Sequence, residues 1–122
     1  MSVQQLVSHV DDRGALVTFP SGEYKQTLIS WSKPGVKRGG HYHHRKVEAF
    51  LVIEGQAVMR TRKKGSNVIQ YHSLHAEVPK VITIEPNVIH SIENTGLTDM
   101  ILVVWCNEVF DETDPDTYVE TV

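Results

Sequence analysis

Residues 38–55, RGGHYHHRKVEAFLVIEG, decide how the rest of the chain is read. Gly39 and Gly40 precede three histidines within four residues: His41, His43 and His44. The two glycines let the backbone bend or approach a ligand closely just before the histidines. His41 and His43 are two apart, so in an extended segment both side chains leave the same face. His44 then points to the opposite face. Glu48 heads an apolar run, residues 49–53, which closes on Gly55. That run predicts a buried strand, with a tight turn at Glu54-Gly55-Gln56 and a hairpin partner over residues 57–63. A distant histidine, His90, lies in PNVIHSIEN, residues 86–94. Neutral imidazoles and a carboxylate suit a divalent transition metal, and three nitrogens with one oxygen leave positions open for water or substrate. His41, His43, Glu48 and His90 are therefore the candidate metal set. Zinc, manganese, iron, cobalt and nickel all accept such donors.

Turn chemistry divides the flanking chain into short pieces. Asp11-Asp12-Arg13-Gly14, Pro20-Ser21-Gly22, Lys33-Pro34-Gly35, Lys64-Gly65-Ser66-Asn67, Pro86-Asn87 and Asn94-Thr95-Gly96 all read as turns. Strands are expected between them, over residues 15–19, 24–31, 68–72, 81–84, 88–92 and 100–104. The last is the most apolar and is expected at the centre of a sheet. Residues 1–9 fit either a short helix or a strand. Residues 110–122 carry prolines and acids and read as an ordered arm or a loose end. Short strands with frequent turn signals and no persuasive helix argue for an all-β sandwich or barrel. A length of 122 residues suits one domain, 1–122.

Composition excludes several function classes. Hydrophobic residues make up 40% and charged residues 22%, the balance of a globular chain rather than a disordered one. No run of 18 apolar residues and no signal-like N-terminus occurs, so a cytoplasmic protein that does not span a membrane is expected. Cys106 is the single cysteine, lies in an apolar run and reads as buried filler. Nine of the twelve Lys and Arg lie between Lys33 and Lys64, whereas residues 108–122 hold six acids and no base. A local basic region beside a metal-like motif points to a small anionic ligand. Nothing in the chain forms a globally basic face or a nucleic-acid motif.

Gly40, His41, His43, Glu48 and Gly55, with Pro86, His90 and Asn94 later, resemble the two motifs of the cupin superfamily. The leading glycine lies closer to the first histidine than is usual, and a glycine between the proline and the histidine is absent. The resemblance implies a jelly-roll barrel of antiparallel strands. More narrowly, residues 24–118 are similar to the C-terminal cupin domain of CapF-type bifunctional enzymes of capsular polysaccharide synthesis. Lys33-Pro34-Gly35, Arg38-Gly39, His41-Tyr42-His43-His44, Glu48, Phe50-Leu51-Val52, Trp105, Asn107-Glu108, Phe110-Asp111 and Pro115-Asp116-Thr117-Tyr118 carry it. That resemblance implies zinc first among the metals and epimerisation at C3 of a UDP-2-acetamido-2,6-dideoxy-4-hexulose. It also implies a homodimer. These residues hold no Gly-x-Gly-x-x-Gly and no βαβ pattern, so a downstream reductase is expected to be another protein. The Arg-Gly-x-His-Tyr of the deoxysugar 3,5-epimerases is also matched, by Arg38, Gly39, His41 and Tyr42. There the histidine is a base and no metal is used.

The implied chemistry needs a charge acceptor at the C4 oxygen, a base and an acid. Tyr24, Tyr71 and His72 are the candidate proton-transfer groups, with His44 behind them. Arg38 is the first choice for the diphosphate, by resemblance. Arg60 and Arg62, sharing one strand face, come second, and Lys25 and Gln26 on a neighbouring strand complete the candidate substrate-binding set. Trp31 and Trp105 read as core or interface residues. Two other readings stand beside the epimerase: a nucleotide-sugar 3,4-ketoisomerase or other small metal cupin enzyme, and a non-catalytic sugar-binding cupin.

Overall fold

The computed structural model describes residues 1–122 and contains strands and turns but no helix. Four short strands open the chain: β1 (Ser2–Gln5), β2 (Ser8–Asp11), β3 (Gly14–Val17) and β4 (Gln26–Ser32). β5 (Lys37–Tyr42), β6 (Glu48–Glu54), β7 (Gln56–Lys63) and β8 (Gln70–His75) follow. β9 (Lys80–Ile84), β10 (Val88–Asn94), β11 (Met100–Cys106) and β12 (Tyr118–Val119) complete the set. Two five-stranded sheets form, in the orders β1-β9-β6-β11-β4 and β12-β5-β10-β7-β8, and β2 and β3 make a separate hairpin. All pairings are antiparallel. The two sheets face one another as a jelly-roll barrel. No helix is long and apolar enough to cross a membrane.

Period-two alternation places the core between the sheets. In β11, Met100, Leu102 and Val104 join the main buried cluster, together with Phe50 and Val52 of β6 and Ala57 and Met59 of β7. The alternate residues face outward. On the outer face of the first sheet, Ala49, Leu51 and Val81 pack with Leu6, and Val17, Phe19, Tyr24 and Trp105 cover them. The Phe19 and Trp105 rings stack with centroids 3.6 Å apart. Cys106 is buried, as its apolar surroundings suggest.

Several sequence expectations are corrected. The pieces 49–53 and 57–63 are both strands, but they are not hairpin partners. β6 pairs with β9 and β11, whereas β7 pairs with β8 and β10. Gly55 explains the change of sheet: its φ is +82°, and a Cβ there would lie 2.9 Å from the Asp99 carbonyl oxygen. The turn packs against the β10–β11 connection and carries the chain from one sheet to the other. β6, not β11, is the central strand of the first sheet. The N-terminal residues are strands rather than a helix, and the 68–72 strand begins later, at Gln70. The C-terminal arm is ordered, with Tyr118 and Val119 pairing to Tyr42 and His41 on the edge of β5.

Candidate metal centre

Four elements deliver the four candidate ligands to one end of the barrel. His41 lies in β5, His43 just beyond it, Glu48 at the first position of β6 and His90 in β10. Their donor atoms all lie within 4.8 Å of one another. His43, Glu48 and His90 are buried, and His41 is half-buried. His44, by contrast, is exposed and stacks on Tyr118 with centroids 4.1 Å apart.

A β-bulge aims His41. It pairs with His90, yet Ser91 pairs with Gly39, so Gly40 is the extra residue. Gly39 and Gly40 both have positive φ, +91° and +75°. A Cβ on Gly39 would lie 2.7 Å from the His90 carbonyl oxygen, so only glycine allows this approach. The bulge also resets parity: Arg38 pairs with core Ile92, so His41 and Arg38, three apart, both occupy inner-face positions.

The hydrogen bonds define which atoms face the centre. His43 Nδ1 donates to the Asp116 carbonyl at 2.7 Å, and His90 Nδ1 donates to the Val88 carbonyl at 3.0 Å. Both histidines therefore turn Nε2 inward. His43 Nε2 lies 2.7 Å from Glu48 Oε1. His90 Nε2 lies 3.3 Å from the same oxygen, is buried and has no hydrogen-bond partner. A buried nitrogen lone pair against a carboxylate is unfavourable unless a cation or a proton lies between them. The residues present thus fit a divalent cation: two imidazoles locked in the ligating tautomer, a third beside them and one anionic oxygen.

The electrostatics agree. Burial, with His90 and His43 nearby, lowers the His41 imidazole to about 4. Burial alone would raise the Glu48 carboxyl, but the hydrogen bond from His43 and the adjacent His90 hold it well below the usual carboxylate range. For His43 burial is outweighed by Glu48 and the Asp116 carbonyl, so its pKa is raised.

The other candidates scatter. Arg38 donates from Nε to Ser32 Oγ at 2.7 Å and from Nη2 to the Trp31 carbonyl at 3.2 Å, spanning the gap between β5 and β4 while staying exposed. Arg60 and Arg62 do share a face, but it is the outer one: their neighbours Ala57, Met59 and Thr61 are buried. Arg60 pairs with Glu93 at 3.2 Å and Arg62 with Glu120 at 2.9 Å. Tyr71 is exposed on the outer face beneath Arg60, and Tyr24 packs in the outer aromatic cluster. Lys25 is exposed, and Gln26 Oε1 accepts from the Phe110 backbone at 2.7 Å. His72 faces inward opposite Met59, and its Nε2 lies 3.1 Å from Thr61 Oγ1. Thr61 is in turn the cross-strand partner of His90 and lines a cavity of about 430 Å³ with Arg62, Lys63, Ser66, Gln70 and Val88.

Two contributors escape sequence reading. Thr61 carries no signal beyond strand alternation. Asp116 does stand in a quotable Pro-Asp-Thr-Tyr, but its role becomes visible only in space. Its carboxylate accepts the backbone N–H groups of His44, Arg45 and Lys46 at 2.9, 2.9 and 3.0 Å.

The sequence profile of the polysaccharide biosynthesis C-terminal domain family matches residues 9–118. The chain is 39% identical over 118 residues to a UDP-2-acetamido-2,6-beta-L-arabino-hexul-4-ose reductase of Pseudomonas aeruginosa, covering 93% of this chain and 31% of that protein. The capsular polysaccharide assembling protein CapF of Staphylococcus aureus superposes with a TM-score of 0.80 at 39% identity, over 96% of this chain and 34% of CapF. The chain therefore spans about a third of the length of these relatives. ChmJ, a 3'-monoepimerase of Streptomyces bikiniensis, shares the fold with a TM-score of 0.85 at 18% identity, over 96% of this chain and 67% of ChmJ. The profile match, the cupin-type barrel and the 39% identity agree, and the chain belongs to the polysaccharide biosynthesis C-terminal domain family.

Proposed function

We propose that this protein is a metal-dependent epimerase that inverts C3 of a UDP-linked 2-acetamido-2,6-dideoxy-4-hexulose in surface polysaccharide synthesis. The observation that carries the reading is the convergence of His41, His43, Glu48 and His90 with an unpartnered Nε2 at its heart. The named substrate of the Pseudomonas relative supplies the sugar and nucleotide. His41, His43, Glu48 and His90 hold the cation, zinc by preference. A cation bound there withdraws charge from a carbonyl oxygen, worth several kcal/mol of transition-state stabilisation.

The chain's own residues then do the rest. A ketone at C4 acidifies the C3–H bond. His72 is the proton-transfer group of this reading: it lies on the inner face, Thr61 holds its Nε2, and burial lowers its pKa, so it is neutral and able to accept a proton. Removal of that proton leaves an enolate, and a proton delivered from water to the opposite ring face inverts C3. Arg38, exposed at an inner-face position two residues from His90 in register, binds the diphosphate and supplies binding energy remote from the reacting carbon. In this reading the protein works in the cytoplasm as a homodimer.

The test is proton NMR in D₂O with UDP-2-acetamido-2,6-dideoxy-4-hexulose, before and after chelation, on the parent and on His72→Gln. Deuterium at C3 with loss of the starting epimer, abolished by chelation, is the expected result. His72→Gln should keep its metal and slow exchange by about 10²–10⁴-fold. Exchange that survives chelation would make His41 a base rather than a ligand. Migration of the keto group to C3 would identify a 3,4-ketoisomerase, and no exchange by folded, metal-loaded protein would leave a sugar-binding cupin.

A further inference from the structure

The β5–β6 connection crosses from one sheet to the other, so its backbone has no ladder to join. It carries His43 at its start and leads directly into Glu48, the first residue of β6. Its middle presents three successive N–H groups, on His44, Arg45 and Lys46, in a concavity of the kind that binds anions. The anion is supplied from some seventy residues away: the Asp116 carboxylate takes all three at 2.9–3.0 Å, and its side chain is fully enclosed, at 0% exposure. The same residue turns its carbonyl to His43 Nδ1 at 2.7 Å. Asp116 does both because its φ is +50°, a left-handed conformation that aspartate tolerates better than most residues. Neighbouring contacts reinforce the strap. Lys46 Nζ donates to the Pro115 carbonyl at 3.1 Å, and the Asn107 amide oxygen accepts the Val47 N–H at 2.9 Å.

We infer that Asp116 is a positioning residue for the metal centre: its carboxylate fixes the loop that carries His43, and its carbonyl fixes the His43 ring with Nε2 facing Glu48. The inference rests on the metal reading given above. The C-terminal strap is thereby part of the site although it contributes no ligand. Removing the carboxylate frees three N–H groups, that of Lys46 buried, and lets the loop and His43 sample other orientations, so the metal loses a preset donor. Asp114 is the natural control. It lies in the same strap and pairs with Arg45 at 3.1 Å, but it makes no contact with His43.

The experiment is a zinc titration against a competing chelator on the parent, Asp116→Asn, Asp116→Ala and Asp114→Asn, with NMR of the His43 ring nitrogens in the metal-free proteins. Asp116→Asn preserves shape and tolerance of positive φ, so it keeps the test alive if the alanine variant fails to fold. The expected result is an affinity loss of about 10- to 100-fold for the Asp116 variants and none for Asp114→Asn. The His43 Nδ1–H signal should broaden or be lost in the Asp116 variants alone. A purely structural role predicts lower thermal stability with zinc affinity and the His43 signal unchanged; that pattern in folded Asp116→Asn overturns the inference. Failure of the parent itself to bind zinc removes the metal reading and the inference together, which distinguishes it from failure of the variant comparison.

Discussion

At the scale of single residues, His43 is the group whose protonation governs the site. In the metal-free protein Glu48 and the Asp116 carbonyl raise its pKa against the opposing effect of burial. Since Nδ1 donates to that carbonyl, the proton in question sits on Nε2, the atom facing the centre. Metal binding must displace it. Below the raised His43 pKa each bound cation releases a proton, so apparent affinity falls about tenfold for each unit of acidification; above that pKa the dependence flattens. His41 adds competition only near pH 4, where its own lowered pKa lies. Calorimetric zinc titrations near pH 6 in two buffers of different ionisation heat should therefore show about one proton released per zinc. A binding heat independent of buffer would contradict this assignment of the His43 proton.

At the scale of elements, the β5 bulge decides whether a site exists. Arg38 and His41 are three positions apart, and in a regular strand they would point to opposite faces. The extra residue at Gly40 restores a common face, and Gly39 lets β5 close on the His90 carbonyl. Gly39→Ala would put a methyl group 2.7 Å from that oxygen and a side chain at φ +91°. The conformational strain alone costs about 1–3 kcal/mol. The expected outcome is a lower unfolding midpoint in urea and substoichiometric zinc in the folded fraction. Unchanged stability with full zinc would mean that β5 accommodates a regular register.

At the scale of the whole molecule, the outer face of the first sheet is unevenly covered. The N-terminal segments shield Ala49, Leu51 and Val81, but Ile29, Trp31 and Ile53 are 54%, 60% and 50% exposed. β4, which carries Ile29 and Trp31, is also an edge strand. Burying the exposed half of each such side chain is worth about 1 kcal/mol, which supports association of two copies through this face. Light scattering should give a dimer for the parent and a monomer for Trp31→Glu. A monomeric parent at tens of micromolar would rule out this interface.

The sequence by itself determined the candidate donor set, the all-β class and most turns. Metal chemistry resides in residue type, and a His-x-His spacing needs only an extended backbone to converge. The jelly roll and the zinc epimerase reading came from resemblance on the same residues, not from periodicity. Only the tertiary structure decided that β6 and β7 belong to different sheets, that Arg60 and Arg62 face outward, and that Asp116 holds His43. Alternation defines two faces of a strand without saying which is buried. A bulge resets that parity. A backbone carbonyl meeting an imidazole from seventy residues away leaves no mark on the pattern of side chains, because every residue has one to offer.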